Sequence, residues 1–383
     1  MVKRLRNVPG FSIDRVAAAA AGDPEVLRLE NLDSDIRPPA AALQATHQAI
    51  DQDDANSYLP FHGQDDTRAT ATAHVSRLSG VSYDSDRQCV ITAGGTAGYM
   101  NALLATIEEG DEVILTDPTY AGMIYRVRLA GGTPKLVPFR QIEGVWRLDL
   151  DALQKVVTER TRMVFIMNPS MPSGAVLNGD EWNAIAKICR ESNAWLLYNA
   201  AMERILFDGM KYLHPASFPG MAERTITVGS VAKEYSMIGW RVGWVVGPAP
   251  VMDDIRRVSI YNVVSPVGLT QSAAAAALRT PDSYLESAVA EWQRRRDLVL
   301  AELEGIPVMR PQGGYSLLLN TGRMGFKSFE ASERLLEHGK IAATPMRDWG
   351  EENSDQFVRL VFSNEPLERL RGIRARVDAA LGR

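Results

Sequence analysis

The chain has 383 residues, 45% hydrophobic and 23% charged, with 42 Lys and Arg against 47 Asp and Glu and a formal net charge of −5. That is the balance of an ordinary globular protein able to bury a large core, without the basic footprint of a nucleic-acid binder or the polybasic anchor of a membrane-surface protein. No run approaches the roughly 18 apolar residues of a membrane span, the start "MVKRLRNVPG" is a poor signal peptide, and Cys89 and Cys189 in apolar contexts read as buried free thiols, so a cytoplasmic protein is expected; the five histidines show no metal spacing.

Residues 1–45 are poor in strand signals and are expected to pack on a small domain or on a partner subunit. Over 46–270, short apolar runs at 88–94, 111–117, 133–139, 161–168, 194–199, 224–230 and 241–247 read as buried strands. Near-continuous hydrophobic runs suit strands covered on both faces. Helical patterns at 96–108, 119–130, 149–157 and 178–192 lie between them. The alternation predicts an α/β fold: a doubly wound, mostly parallel sheet of seven strands. Long helices follow at 251–262, 268–279 and 283–305. Strands at 315–320 and 356–363, with helices at 329–339 and 367–382, predict a smaller α+β domain over 271–383.

Doubly wound sheets bind ligands beyond the carboxyl ends of their strands, so the strand tails carry the functional reading. After the first comes "TAGGTAGYMNALLA", where Gly94 and Gly95 allow close backbone approach and Thr96 opens a helix whose free N–H groups suit phosphate. A simple N-cap with a tight turn fits those residues too. After the second, Tyr120 offers an aromatic face to a flat ligand, or packs as a core tyrosine. After the fourth, "NPSMPSG" fixes Asn168 and Ser173 in a rigid loop, or simply ends the strand. Asn199 is the polar tip of the fifth. The sixth leads into "TVGSVAKEYSMIGWRVGW", where Lys233 sits among apolar residues, with Ser230 three before it and Arg241 eight after. A lysine there either snorkels to solvent or is a desolvated amine, and a desolvated amine is a nucleophile or Schiff-base partner. Thr96, Ser230 and Arg241 supply what a phosphate wants, and Lys233 what an aldehyde wants.

In order and spacing these segments resemble the class I/II aminotransferases, pyridoxal phosphate enzymes of fold type I, over nearly the whole chain from about Leu27. The resemblance implies that Lys233 forms the aldimine with pyridoxal 5'-phosphate and that Ser230, Arg241, Gly95 and Thr96 hold its phosphate. It implies that Tyr120 stacks on the ring and that Asn168 and Asn199 line it. "SYLPFHGQDDTR" is similar to a segment whose tyrosine, here Tyr58, reaches the phosphate of the other subunit, which implies a homodimer with shared sites. "FVRLVFS" matches the strand whose arginine, here Arg359, grips a substrate α-carboxylate. The implied activity is transfer of an amino group from an L-amino acid to a 2-oxo acid.

Three positions depart from the family pattern. Met171 and Met202 stand where polar residues usually reach the ring's phenolic oxygen, and Asn199 where an aspartate usually protonates the ring nitrogen. A neutral amide gives a weaker electron sink than a carboxylate. A lyase, racemase, oxidase or cyclase type of reaction, or a catalytically degraded binding protein, therefore stands beside the aminotransferase reading. Asp33 and Asp35 are candidates to meet a cationic side chain, or are solvated loop carboxylates.

Overall fold

The structure, a computed structural model, describes Leu5, Val8 and residues 12–382. The expectation for residues 1–4, 6, 7 and 9–11 lies outside the described residues. In chain order the strands are β1 (Leu27–Arg28), β2 (Cys89–Thr92), β3 (Glu112–Asp117), β4 (Thr133–Ile142), β5 (Val145–Leu148), β6 (Thr161–Met167), β7 (Trp195–Asn199), β8 (Thr225–Ser230), β9 (Gly243–Val246), β10 (Val308–Met309), β11 (Ser316–Asn320), β12 (Ile341–Ala342), β13 (Thr344–Pro345) and β14 (Phe357–Val361).

Eight of these form one sheet in the order β2-β9-β8-β7-β6-β3-β4-β5. Strands β2, β3, β8 and β9 are buried at every residue and β7 at all but Trp195, as the unbroken apolar runs require. The expected seven strands are all present, and the count is corrected to eight by β5. That strand pairs antiparallel with the end of β4, Phe139 opposite Leu148. Its burial alternates along only four residues, as an edge strand's does, which left no continuous apolar run to read.

Helices cover the sheet. The helix Gly179–Glu191 starts on a capping box, Asn178 accepting from the Glu181 N–H while Glu181 accepts from that of Asn178. It buries Trp182, Ile185 and Ile188 on one face, and Trp182 meets Tyr198 of β7 edge-on at 5.9 Å. Burial of an aromatic of this size stabilises by roughly 2–3 kcal/mol. A second, antiparallel sheet runs β10-β11-β14-β13, and β1 pairs in parallel with β12, joining the N-terminal segment to the C-terminal part of the chain. The single helix expected over 367–382 is two helices, Leu367–Leu370 and Ile373–Leu381, because Gly372 takes φ 76° between them.

What the sheet does for function is geometric. Strands β2, β3, β6, β7 and β8 all point one way, so their carboxyl ends share an edge. The antiparallel β9 begins at that edge. Registers Thr92↔Gly243↔Ser230 and Met167↔Asn199↔Val228 then set the tails beside one another.

Candidate active site

Lys233 lies three residues beyond β8, in a turn closed by Ser230. The Ser230 hydroxyl donates to Val242 O at 2.8 Å and accepts from the Ala232 N–H at 3.1 Å. Tyr315 of the second sheet reaches across and donates to the Lys233 carbonyl at 2.6 Å. The Lys233 amine donates to the Leu32 carbonyl. Burial pushes that amine down to about 8; the Asp33 carboxylate works against the shift, and the Arg359 and Arg241 guanidinium groups add to it. Lys233, Arg241, Arg359 and Asp33 are therefore within electrostatic reach of one another.

Arg241 stands at φ 54°, just before β9, and its Nη1 donates to Ile238 O at 2.9 Å. Its other nitrogen lies over Gly94. A Cβ at Gly94 would come within 2.5 Å of Arg241 Nη2, and Gly94 itself is at φ 76°, so only glycine serves there. Gly95 and Thr96 are the first residues of the helix Gly95–Thr106. The N–H groups of a first helical turn have no intrahelical partner. An exposed guanidinium beside a helix N-terminus makes a cradle for a dianion.

Tyr120 follows β3 and is partly buried, with the Arg126 guanidinium 5.4 Å from its ring centre. The tip of β3 is anchored by Asp117, whose carboxylate accepts the N–H groups of Glu351, Glu352 and Asn353 at 3.1, 2.7 and 3.2 Å. Asn168 is buried and spends its side-chain oxygen on the Leu177 N–H at 2.8 Å, fastening its own loop. Ser173 is buried in that loop. Asn199 accepts from the Ala201 N–H at 3.0 Å through its side-chain oxygen, which leaves the NH2 end as its donor to any ligand. Met171 and Met202 are both buried.

Arg359 is at the centre of the second sheet, on β14 between Leu318 and Thr344. It is fully buried under the Trp349 ring, 4.8 Å from its guanidinium carbon. Its Nη2 donates to Glu30 O and Thr344 Oγ1; among the described residues its Nη1 has only the Met171 sulfur at 3.4 Å and its Nε has no partner. A thioether is a weak acceptor, so two donors are under-used in a dry site. Burial lowers its pKa from the usual guanidinium range, against the pull of Glu30 and Tyr120. Tyr58 stands apart from all of these, its ring 83% exposed.

Sequence reasoning missed the frame beneath Lys233. Arg204 donates widely: from its backbone and Nε to Glu234 at 2.7 and 2.8 Å, to Tyr235 Oη at 2.8 Å and to Asp282 at 2.8 Å. This ion pair ties the turn after Asn199 to the turn of Lys233. Beside it Glu203 is wholly buried, hydrogen-bonded by Tyr212 and with His74 Nε2 at 4.0 Å. No local motif marks these residues.

The family described as "Aminotransferase class I and II" matches residues 27–375. An aspartate aminotransferase of Pyrococcus abyssi is 30% identical, over 96% of this chain and 95% of its own. A probable N-succinyldiaminopimelate aminotransferase of Mycobacterium tuberculosis is 36% identical over 80% of this chain and 78% of its own. The solved N-succinyldiaminopimelate aminotransferase from Mycobacterium tuberculosis superposes with a TM-score of 0.93 at 32% identity, covering 100% of both chains.

Proposed function

The chain belongs to the class I and II aminotransferases, and on that premise we propose that Lys233 is the residue on which its pyridoxal 5'-phosphate-dependent transfer of an amino group from an L-amino acid to a 2-oxo acid turns. The observation that carries the proposal is a partly buried amine, hydrogen-bonded to Leu32 O, with its pKa down at about 8 through desolvation and the charges of Arg359 and Arg241.

The residues fit that cofactor. The cradle of Arg241 with the Gly95 and Thr96 amides suits its phosphate, and adding a Cβ at Gly94 would break into it. Tyr120 offers a ring to its flat face, and Asn199 an amide to its ring nitrogen. Ser230 is already bonded to Val242 and Ala232, so its first work is to hold the Lys233 turn. When bound, the cofactor supplies an aldehyde that bonds amines and a ring that draws electrons from Cα. The chain's own residues do the rest. Arg359 takes the α-carboxylate on its under-used Nε and Nη1, with Trp349 keeping the guanidinium flat. The Lys233 amine, neutral for a useful fraction of the time near pH 8, would take the proton from Cα and hold it for redelivery. Holding the carboxylate at Arg359 while Lys233 works above it is the positional part of the rate enhancement.

A homodimer belongs to the same proposal. Tyr58 and Tyr261 are 83% and 89% exposed, and Leu104, Phe61, Val264, Val267 and Leu269 are exposed near them. Ser265 donates to Leu59 O, so the two segments form one surface. An apolar surface of this kind is unusual unless covered. A second copy is the occupant that would bring Tyr58 to a neighbouring site. A cytoplasmic location is also proposed, supported by the free buried thiols Cys89 and Cys189, both pushed up to about 12 by burial. Among the described residues no helix is long and apolar enough to cross a membrane.

The test is spectroscopic. Protein mixed with the cofactor is expected to show a visible band that moves on adding an amino acid, with a 2-oxo acid as the product. Lys233→Ala is expected to lose the band. Identical spectra from the two proteins would remove Lys233 from its role.

A further inference from the structure

We propose that the site selects amino acids whose side chain ends in a cation, and that Asp33 is the carboxylate that receives it. This deepens the aminotransferase reading and rests on it.

The loop that carries Asp33 is the one the Lys233 amine touches, through Leu32 O. It is pinned at several points. The Asp33 N–H donates to Asn31 O at 2.8 Å, and the Ser363 hydroxyl donates to Asp33 O. Two residues on, Asp35 takes a two-pronged pair from Arg295, at 2.7 and 3.1 Å. Glu30, three residues before, is buried and paired with Arg28. Asp35 is thus consumed in holding the loop, and Glu30 holds Arg28 through Oε1, although its buried Oε2 has no hydrogen-bond partner among the described residues. Asp33 has no such pairing. Its carboxylate accepts the Ser34 N–H at 2.8 Å, and among the described residues it has no cation in ion-pairing range. It is exposed, and the residue just before it, Leu32, carries the carbonyl that the Lys233 amine touches, which sets it at the edge of the site rather than on remote surface.

A carboxylate mounted on a fixed loop and left without a cationic partner is pre-organised for a ligand cation. A donor that meets Arg359 with its carboxylate and Lys233 with its amine has only its side chain left to discriminate by. A guanidinium or ammonium end gains a charge-assisted hydrogen bond at Asp33. A side-chain carboxylate meets like charge there instead.

The experiment titrates the visible band of the cofactor-loaded enzyme with L-arginine and with L-citrulline, which has nearly the same shape and a neutral end. L-ornithine against L-norleucine is the second pair. Dissociation constants and kcat/KM, with one fixed 2-oxo acid, are compared within each pair. Wild type is expected to prefer the cationic member of at least one pair by about 10- to 100-fold, with the gap narrowing as salt is raised. Asp33→Asn is expected to bring that ratio close to one, and Asp33→Lys to invert it. Equal constants within both pairs in wild type, or a ratio that Asp33→Asn leaves intact, overturns the proposal. So does a preference for dicarboxylates, which would point to Arg126, whose Nη1 is buried beside Tyr120 without a hydrogen-bond partner among the described residues. A band that moves with no amino acid at all sinks the aminotransferase reading as well, and so separates the two failures.

Discussion

At the scale of single residues, Asn199 is the group that we propose sets how hard the cofactor ring can pull. Its side-chain oxygen is taken by the Ala201 N–H, so toward a ligand it acts as a donor. A donor suits an unprotonated ring nitrogen, whereas a carboxylate would raise that nitrogen's pKa and keep it charged. Asn199→Asp can keep the Ala201 bond with one oxygen and present charge with the other. The expected result is faster exchange of the substrate Cα proton with solvent, by about tenfold, followed by NMR in deuterated buffer. A slower exchange would mean that the site is built around a neutral ring. Lys233 and Arg241 were legible in the sequence because they lie eight positions apart just beyond one strand end. The Lys233 contact with Leu32, 201 residues away, was not, since no local pattern encodes it. The same distance hid the difference between Asp33 and Asp35. Both are acidic loop residues in the sequence, and only Arg295 packed against the loop tells them apart.

At the scale of elements, the sheet edge was readable and the frame under it was not. Long apolar runs name strands, but β5 is a short, half-buried edge, and the Arg204–Glu234 pair joins two turns that sequence spacing does not relate. That frame contains a titrating group. Burial is the main force that pushes the Glu203 carboxyl up to about 8, and the nearby Glu234 charge adds to it; the Tyr212 hydrogen bond and the Arg204 charge oppose it. Tyr198 packs on the same group, and His74, held neutral by burial, faces it. The sign follows from the proton count. Below its ordinary value of 4.5 the carboxyl is protonated whether the chain is folded or not, and nothing is lost. Between 4.5 and about 8 the folded chain holds a proton that the unfolded chain has released, so stability falls as pH rises. Glu203→Gln removes that slope. Urea melts at several pH values are expected to show the variant gaining on wild type as pH rises, by about 1–3 kcal/mol once above the folded pKa. A difference that stays constant with pH would mean that only packing had changed.

At the scale of the whole molecule, the site that one chain builds stops short of Tyr58. Lys233, Arg241, Tyr120 and Asn199 come from tails gathered by one sheet edge, and Arg359 from the second sheet packed above it. Tyr58 lies instead on the exposed apolar surface with Tyr261 and Leu104. That surface was visible in the sequence only through the family resemblance, because exposure of an aromatic is a property of the finished fold. If Tyr58 works in a neighbour's site across a two-fold axis, two defective chains should repair each other. Lys233→Ala lacks the amine but carries an intact Tyr58. Tyr58→Ala has the reverse defect. In a mixed dimer one site receives Lys233 from the second chain and Tyr58 from the first, and is whole; the other has neither. Random reassortment of equal amounts makes half the dimers mixed, so about a quarter of the wild-type sites should be restored. Each variant is purified alone, mixed, unfolded and refolded together, and assayed for turnover against the unmixed controls. Activity rising well above the average of the two controls supports service in trans. Activity equal to that average would mean that Tyr58 serves its own chain or no site at all.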